Sequence, residues 1–135
     1  MLKKSIYTIL FISWVLFITM LSLFSFSQMD LDTGGLNIPY ADKIVHFTFY
    51  LVFAFVGSLS LRERTSGSLG LRKTLIIVLI FAILYGMLIE VLQYTLTMDR
   101  MAEFADVLAN TLGAFAGIGL IRWFFSKKNP LKWKF

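Results

Sequence analysis

Four stretches of the chain are each apolar and long enough to cross the hydrocarbon core of a bilayer, which needs about 20 residues of helix. They cover about residues 5–26, 42–61, 74–96 and 104–125. The chain is 58% hydrophobic and only 16% charged, which is too apolar for an ordinary soluble domain of 135 residues. We therefore predict an all-α integral membrane bundle of four transmembrane helices, forming one domain over residues 1–135.

The first apolar run has a second interpretation, because signal peptides also combine a basic start with an apolar stretch. Lys3 and Lys4 provide such a start, and Ser25 and Ser27 resemble a small-residue cleavage site. The apolar run is roughly twice the usual signal length, so we prefer the interpretation as a retained membrane span.

Three loops separate the predicted spans. Residues 27–41 contain two glycines and Pro39 and are predicted to be irregular, whereas residues 62–73 form a short basic turn and residues 97–103 a polar one. Such short connections favour antiparallel neighbours and a compact bundle. The chain has no cysteine, which excludes disulfides and thiolate metal sites.

Basic residues predict the orientation of the bundle. Eleven of the thirteen fall at the N-terminus, in the second loop or at the C-terminal end: Lys3, Lys4, Arg62, Arg64, Arg72, Lys73, Arg122, Lys127, Lys128, Lys132 and Lys134. Cytoplasmic flanks of membrane spans are enriched in lysine and arginine, so both termini are predicted to be cytoplasmic. Glu63 is the only acidic residue on that side. We expect a multi-pass protein of the cytoplasmic membrane of a bacterium.

Polar residues that are unusual within spans fall near the ends predicted to face outside. They are Asp42, Lys43 and His46 in the second span, Glu90 and Gln93 in the third, Arg100 in the next turn, and Asp106 and Asn110 in the fourth. Glu90 would lie about 10 Å below the helix end. A carboxylate at that depth is costly, so it is expected to face a cavity or polar partners.

Helical spacing predicts that these residues converge. Lys43, His46 and Tyr50 lie on one face of the second helix. The corresponding face of the third helix carries Gly86, Glu90 and Gln93, and that of the fourth carries Glu103, Asp106, Asn110, Gly113 and Gly117. The glycines on these faces allow the helices to approach closely.

Simpler roles are open for several of these residues. Asp42 and Asp106 suit helix N-termini as caps, and Lys43 and Arg100 suit the flanks of spans as ordinary charges. A lone histidine such as His46 is more often structural than catalytic. It is the placement of all these residues on one side that favours a functional interpretation.

The polar segments resemble those of the VanZ-like family of small membrane proteins. The matching segments are Asp42-Lys43-x-x-His46-Phe47-x-x-Tyr50, Tyr85-Gly86-x-x-x-Glu90-x-x-Gln93, and Arg100 followed by Asp106-Val-Leu-Ala-Asn110-Thr-Leu-Gly113. The resemblance extends from residue 42 to about residue 120. Glu103 departs from it, because the family often has a small hydroxyl residue there.

This resemblance implies a helical membrane domain. It also implies a link to low-level resistance against teicoplanin, a glycopeptide antibiotic with a lipid tail. It implies neither a reaction nor that this chain confers resistance.

The first hypothesis for function is an outward-facing site that binds or processes an amphiphilic cell-envelope molecule, such as a membrane lipid or a lipid-linked precursor. His46, Glu90 and Asp106 are the candidate acid/base residues. The candidate substrate-binding residues are Asp42, Lys43, Tyr50, Gln93, Arg100 and Asn110, with Lys43 and Arg100 suited to phosphate or carboxylate. Gly86, Gly113 and Gly117 are predicted to serve helix packing.

Other classes of function are open. The cluster could be an internally paired network that fixes helix register in a membrane assembly or binding module without catalysis. It could also hold a divalent ion through His46, Glu90 and Asp106, although the sequence lacks paired-histidine spacing. The sequence predicts no cofactor and no nucleic-acid partner, and we assign no metal to the candidate site. Whether a metal is bound, the oligomeric state and the question of enzyme activity stay open.

Overall fold

The computed structural model describes residues 5–24, 40–97, 103–126 and 131–134. Within these ranges it confirms the all-α prediction with four helices, each long and apolar enough to cross a membrane. They are α1 (Ile6–Leu23), α2 (Ala41–Arg64), α3 (Leu71–Leu96) and α4 (Phe104–Phe124).

The connection between α2 and α3 is shorter than the basic turn predicted over residues 62–73. Helical hydrogen bonding continues through the polar residues as far as Arg64. The chain then turns through left-handed conformations at Ser66, with φ of 49°, and Gly67, with φ of 70°. Helix α1 ends at Leu23, earlier than the predicted boundary at residue 26, because Phe24 is extended.

Contacts between helices define an up-and-down bundle. Thr8 near the start of α1 contacts Glu63 at the end of α2, so these two helices are antiparallel. Helices α2 and α4 run parallel, because Gly113 lies against Phe47 and Gly117 against Leu51. We call the end where α2 and α4 begin the His46 end, and the opposite end the Arg62 end.

Helices α2 and α4 approach so closely that their contact excludes side chains. A Cβ atom on Gly113 would overlap the carbonyl oxygen of Phe47, and one on Gly117 would overlap that of Leu51. Small residues at helix contacts allow such approach within a membrane, where close packing replaces the hydrophobic effect as a driving force. This contact fixes α2 against α4 just below the His46 end.

Aromatic and small residues fill the middle of the bundle. Phe53 is completely buried at its centre, and its ring lies 4.9 Å from that of Phe11 in α1. The indole N–H of Trp14 donates to the carbonyl oxygen of Phe49 at 3.0 Å. These contacts make α1 part of the bundle.

The Arg62 end is closed by a segment that follows α4. The Trp133 indole donates to the Leu69 carbonyl oxygen at 2.7 Å, and Arg62 Nε donates to the Trp133 carbonyl oxygen at 2.7 Å. The Arg62 guanidinium also lies over the rings of Phe125 and Trp133. This segment covers the turn between α2 and α3.

Candidate functional site

Three helices contribute buried polar side chains to the His46 end. The structure brings together His46 of α2, Glu90 of α3, and Asp106 and Asn110 of α4, each at most 9% exposed. Gly86, one turn before Glu90 on α3, leaves room for the side chains of Asn110 and Tyr50. A Cβ atom on Gly86 would lie only 3.2 Å from atoms of both residues.

His46 occupies the centre of this group. Its Nδ1 atom lies 3.0 Å from Asn110 Oδ1, which can only accept a hydrogen bond, so in this arrangement Nδ1 carries the proton. Its Nε2 atom is then the one that can accept a proton, and it lies 3.9 Å from Asp106 Oδ2. Glu90 Oε1 lies 3.9 Å from Nδ1. The imidazole thus lies between two carboxyl groups.

Lys43 lies near the surface above His46 and pairs with three carboxylates. Its Nζ atom lies 2.6 Å from Asp106 Oδ1, 2.6 Å from Asp42 Oδ2 and 2.5 Å from Glu103 Oε2. Asp106 therefore connects the surface group to the buried one, with one oxygen towards Lys43 and the other towards His46. Asp42 and Glu103 are mostly exposed, and the acid at position 103 takes part directly in this surface group.

Two buried hydrogen-bond donors on the residues beside Gly86 have no hydrogen-bond partner among the described residues. They are the hydroxyl of Tyr50 and the amide nitrogen of Asn110. Both are hydrogen-bond donors, and buried donors are seldom left unsatisfied in folded proteins. They are therefore available to donate to a further polar group.

One predicted substrate-binding residue stands apart from this geometry, and another lies outside the described residues. Gln93 donates from Nε2 to the carbonyl oxygen of Ser22 at 2.8 Å, so its side chain connects α3 to the end of α1. Arg100 lies outside the described residues. The spacing argument assigned no role to Tyr85, whose hydroxyl pairs closely with that of Thr19. Its position next to Gly86 in the second matching segment was a signal for it.

The buried group also has a donor set that could hold a metal ion. One ligand atom each from His46, Glu90 and Asp106 can be chosen so that all lie within 4.8 Å of one another. The imidazole and carboxylates suit a borderline or hard divalent cation. Asp42, Glu103 and Asp106 meet the same criterion nearer the surface. Such groups of acids are also common without an ion, so this geometry by itself identifies no metal.

Comparison with protein families decides the classification. The family model described as VanZ/LLP1 matches residues 2–125, nearly the whole chain. The chain belongs to the VanZ/LLP1 family. Searches of curated proteins and of solved structures gave no match. The resemblance inferred from the polar segments is thereby confirmed, and those segments meet at the His46 end of this VanZ/LLP1 protein.

Family membership and the four apolar helices together indicate a multi-pass membrane protein. The three matching segments of the VanZ/LLP1 chain lie on α2, α3 and α4, whereas α1 supplies aromatic packing and the Ser22 carbonyl. The chemistry of the His46 end therefore comes from three helices, with α1 as their support.

Proposed function

We propose that the His46 end binds or processes the polar head of an amphiphilic cell-envelope molecule at the outer membrane face. One observation carries this proposal. His46, Glu90 and Asp106 form a buried group of titratable side chains directly beneath the surface group of Asp42, Lys43 and Glu103. An amphiphile whose tail lies in the bilayer would have its head at this depth, and the predicted topology makes this end the outer one.

The proposed chemistry is proton transfer to and from the head group. His46 Nε2 is the proton acceptor, because Nδ1 is engaged with Asn110. Asp106 Oδ2, 3.9 Å from Nε2, stabilises the imidazolium once Nε2 has taken up a proton, and Glu90 is the second acid/base group. Asn110 and Tyr50 supply donors to hydroxyl or carbonyl oxygens of the substrate.

The charges favour a particular class of head group. In the described part of the site, the carboxyl groups of Asp42, Glu90, Glu103 and Asp106 outnumber the single ammonium of Lys43. Hydroxyl or amino groups would find acceptors there. A phosphate on Lys43 would first have to displace Asp42 or Glu103. A head group rich in hydroxyls or amines is therefore the better match, and action on such a molecule is the proposed basis for tolerance to lipid-tailed glycopeptides.

The test is the Glu90→Gln substitution, which keeps the size of the side chain and removes its titration. We expect the variant to insert and fold normally, yet to lose the change in teicoplanin tolerance that the wild-type chain produces in a deletion strain. Glu63→Gln is the matched control, because it makes the same chemical change at the opposite end of the bundle. Comparing lipid extracts of the deletion strain carrying the wild-type chain and of the same strain carrying the Glu90→Gln variant would then identify the altered envelope molecule.

The alternative is a non-catalytic assembly or binding module in which the polar cluster is structural. The observation that favours it is the saturation of Lys43 by three carboxylates, which resembles a self-contained network. This alternative predicts that Glu90→Gln lowers the amount of folded protein in detergent. Full tolerance in the Glu90→Gln strain at equal protein level would contradict the acid/base proposal.

A further inference from the structure

A groove of about 850 Å³ lies between the start of α3 and the end of α4, at the Arg62 end and away from the His46 site. Its walls are mostly apolar, and its lining includes Arg72, Ile76, Phe115, Gly119 and Arg122. The volume falls within the range of roughly 300–1,000 Å³ that is usual for small-molecule sites. The proposed function assigns no role to this groove.

The groove opens towards the membrane. Ile76 and Phe115 in its walls are 48% and 51% exposed, as expected for side chains that face lipid. A Cβ atom on Gly119 would meet no heavy atom within 4 Å, so this glycine leaves open space instead of serving a helix contact. Gly113 and Gly117, by contrast, lie against α2. Water is excluded from the hydrocarbon core, so an apolar groove open to the bilayer is filled by an acyl chain or by another protein.

Two arginines mark the end of the groove. Arg72 is the second residue of α3 and Arg122 is close to the end of α4, which places both near the membrane interface. Neither forms an ion pair with a described residue. The sequence contains no acidic residue between positions 64 and 89 or after position 106, so this end has positive charge in excess. Guanidinium groups bind phosphate through paired hydrogen bonds.

We propose that this groove binds an anionic phospholipid, with an acyl chain along its apolar walls and the phosphate held by Arg72 and Arg122. A second copy of this chain is the other candidate occupant. A symmetric contact would bring each pair of arginines towards the same pair on the partner, with no acid nearby to compensate. Charge therefore favours the lipid. The inference is independent of the His46 site.

The experiment measures lipid binding to the purified full chain in a neutral detergent by native mass spectrometry. Dioleoyl phosphatidylglycerol is titrated against dioleoyl phosphatidylcholine, which has the same chains and no net charge. We expect wild type to prefer the anionic lipid. The Arg72→Gln/Arg122→Gln variant should lose about tenfold in affinity for phosphatidylglycerol, since each basic group near a membrane surface contributes substantially to such binding.

Matched controls separate the groove from general surface charge. Arg64→Gln/Lys73→Gln also removes two exposed basic residues at this end, but neither lines the groove, so the preference should persist. Gly119→Leu should fill the groove and weaken binding of both lipids, whereas Gly119→Ala should leave most of it open. The Glu90→Gln variant should bind phosphatidylglycerol like wild type. Failure of the groove proposal can therefore be distinguished from failure of the function proposed for the His46 end.

Three outcomes would overturn the proposal. One is equal affinity for phosphatidylglycerol in wild type and the Arg72→Gln/Arg122→Gln variant. Another is an equal loss in the Arg64→Gln/Lys73→Gln control, which would reduce the effect to net charge. The third is a wild-type dimer that Gly119→Leu splits without changing lipid binding, which would make the groove an interface between copies.

Discussion

The contact between His46 and Asn110 depends on a glycine one turn further along α4. Gly113 lies directly against the backbone of Phe47, the residue after His46, and no side chain would fit between them. This close approach brings the imidazole of α2 to within 3.0 Å of the amide oxygen on α4. The geometry of the polar group is therefore set by backbone packing as well as by the polar residues themselves.

Gly113→Ala should consequently destabilise the bundle and disturb the site. The added methyl group would overlap the Phe47 carbonyl oxygen, and forcing extra volume into a packed contact costs about 1–3 kcal/mol. The measurement is the free energy of unfolding of the purified protein on titration with denaturing detergent. Gly119→Ala is the control, because its methyl group would meet no atom within 4 Å. It should be neutral or slightly stabilising, since alanine is the better helix former. Equal unfolding curves for the two variants would contradict the close contact.

Sequence spacing predicted part of this arrangement. Gly113, Asp106 and Asn110 were placed on one stripe of α4 from their helical period, and that stripe does face the interior. The sequence did not indicate that this stripe would pack most closely against α2. It also suggested Lys43 as an anion binder, whereas the structure pairs Lys43 with Asp42, Glu103 and Asp106. Pairings of this kind depend on side-chain directions that a spacing argument does not supply.

Helix α1 is attached to the bundle at its first turn by a residue distant in sequence. The backbone N–H of Thr8 donates to Glu63 Oε2 at 2.9 Å, and the Thr8 hydroxyl donates to the same oxygen at 3.0 Å. The N–H of Tyr7 donates to Glu63 Oε1 at 3.4 Å. The free N–H groups at a helix start favour a negative charge, so Glu63 acts as a cap supplied by α2.

Glu63→Ala should therefore loosen α1 and lower stability by about 1 kcal/mol, which is typical for loss of a helix cap. The expected readout is the same unfolding titration, together with faster protease cleavage at the N-terminal end of α1. Arg64→Ala is the neighbouring control, because Arg64 is exposed. Glu63→Gln keeps the acceptor oxygen and should lose less than Glu63→Ala. If Arg64→Ala has as large an effect as Glu63→Ala, the cap does not account for the attachment of α1.

The helices themselves were predictable because each apolar run is long enough to require one. The residues at which the helices end were less predictable. Hydrophobicity indicates which residues lie in the membrane, but it does not indicate where helical hydrogen bonding stops. Helix α2 continues past the apolar run to Arg64 and stops only where the backbone turns at Ser66 and Gly67. The Glu63 cap joins residues 55 positions apart in sequence. The one sequence signal for this cap was that Glu63 is the only acidic residue on the side of the membrane predicted to be cytoplasmic.

The molecule as a whole has two chemically different ends separated by an apolar middle. Carboxyl groups predominate at the His46 end, where they surround His46 and Lys43. Arginine and tryptophan predominate at the Arg62 end, where Arg62 contacts Trp133. The buried centre between them, around Phe53, carries aromatic and small side chains. Such an arrangement suits a membrane-spanning bundle whose two ends face different aqueous compartments.

The orientation of these ends in the membrane gives the last prediction. The positive-inside rule places the Arg62 end in the cytoplasm, because eleven of the thirteen basic residues lie on that side. The chain has no native cysteine, so single cysteines can be labelled without background. Ser66→Cys, in the exposed turn after α2, should resist a membrane-impermeant maleimide in intact cells and react once the cells are opened. Gly35→Cys, which lies outside the described residues, should react in intact cells. The reverse pattern would contradict the predicted topology, and it would place the His46 site on the cytoplasmic face, where it could not act on an outer-leaflet head group.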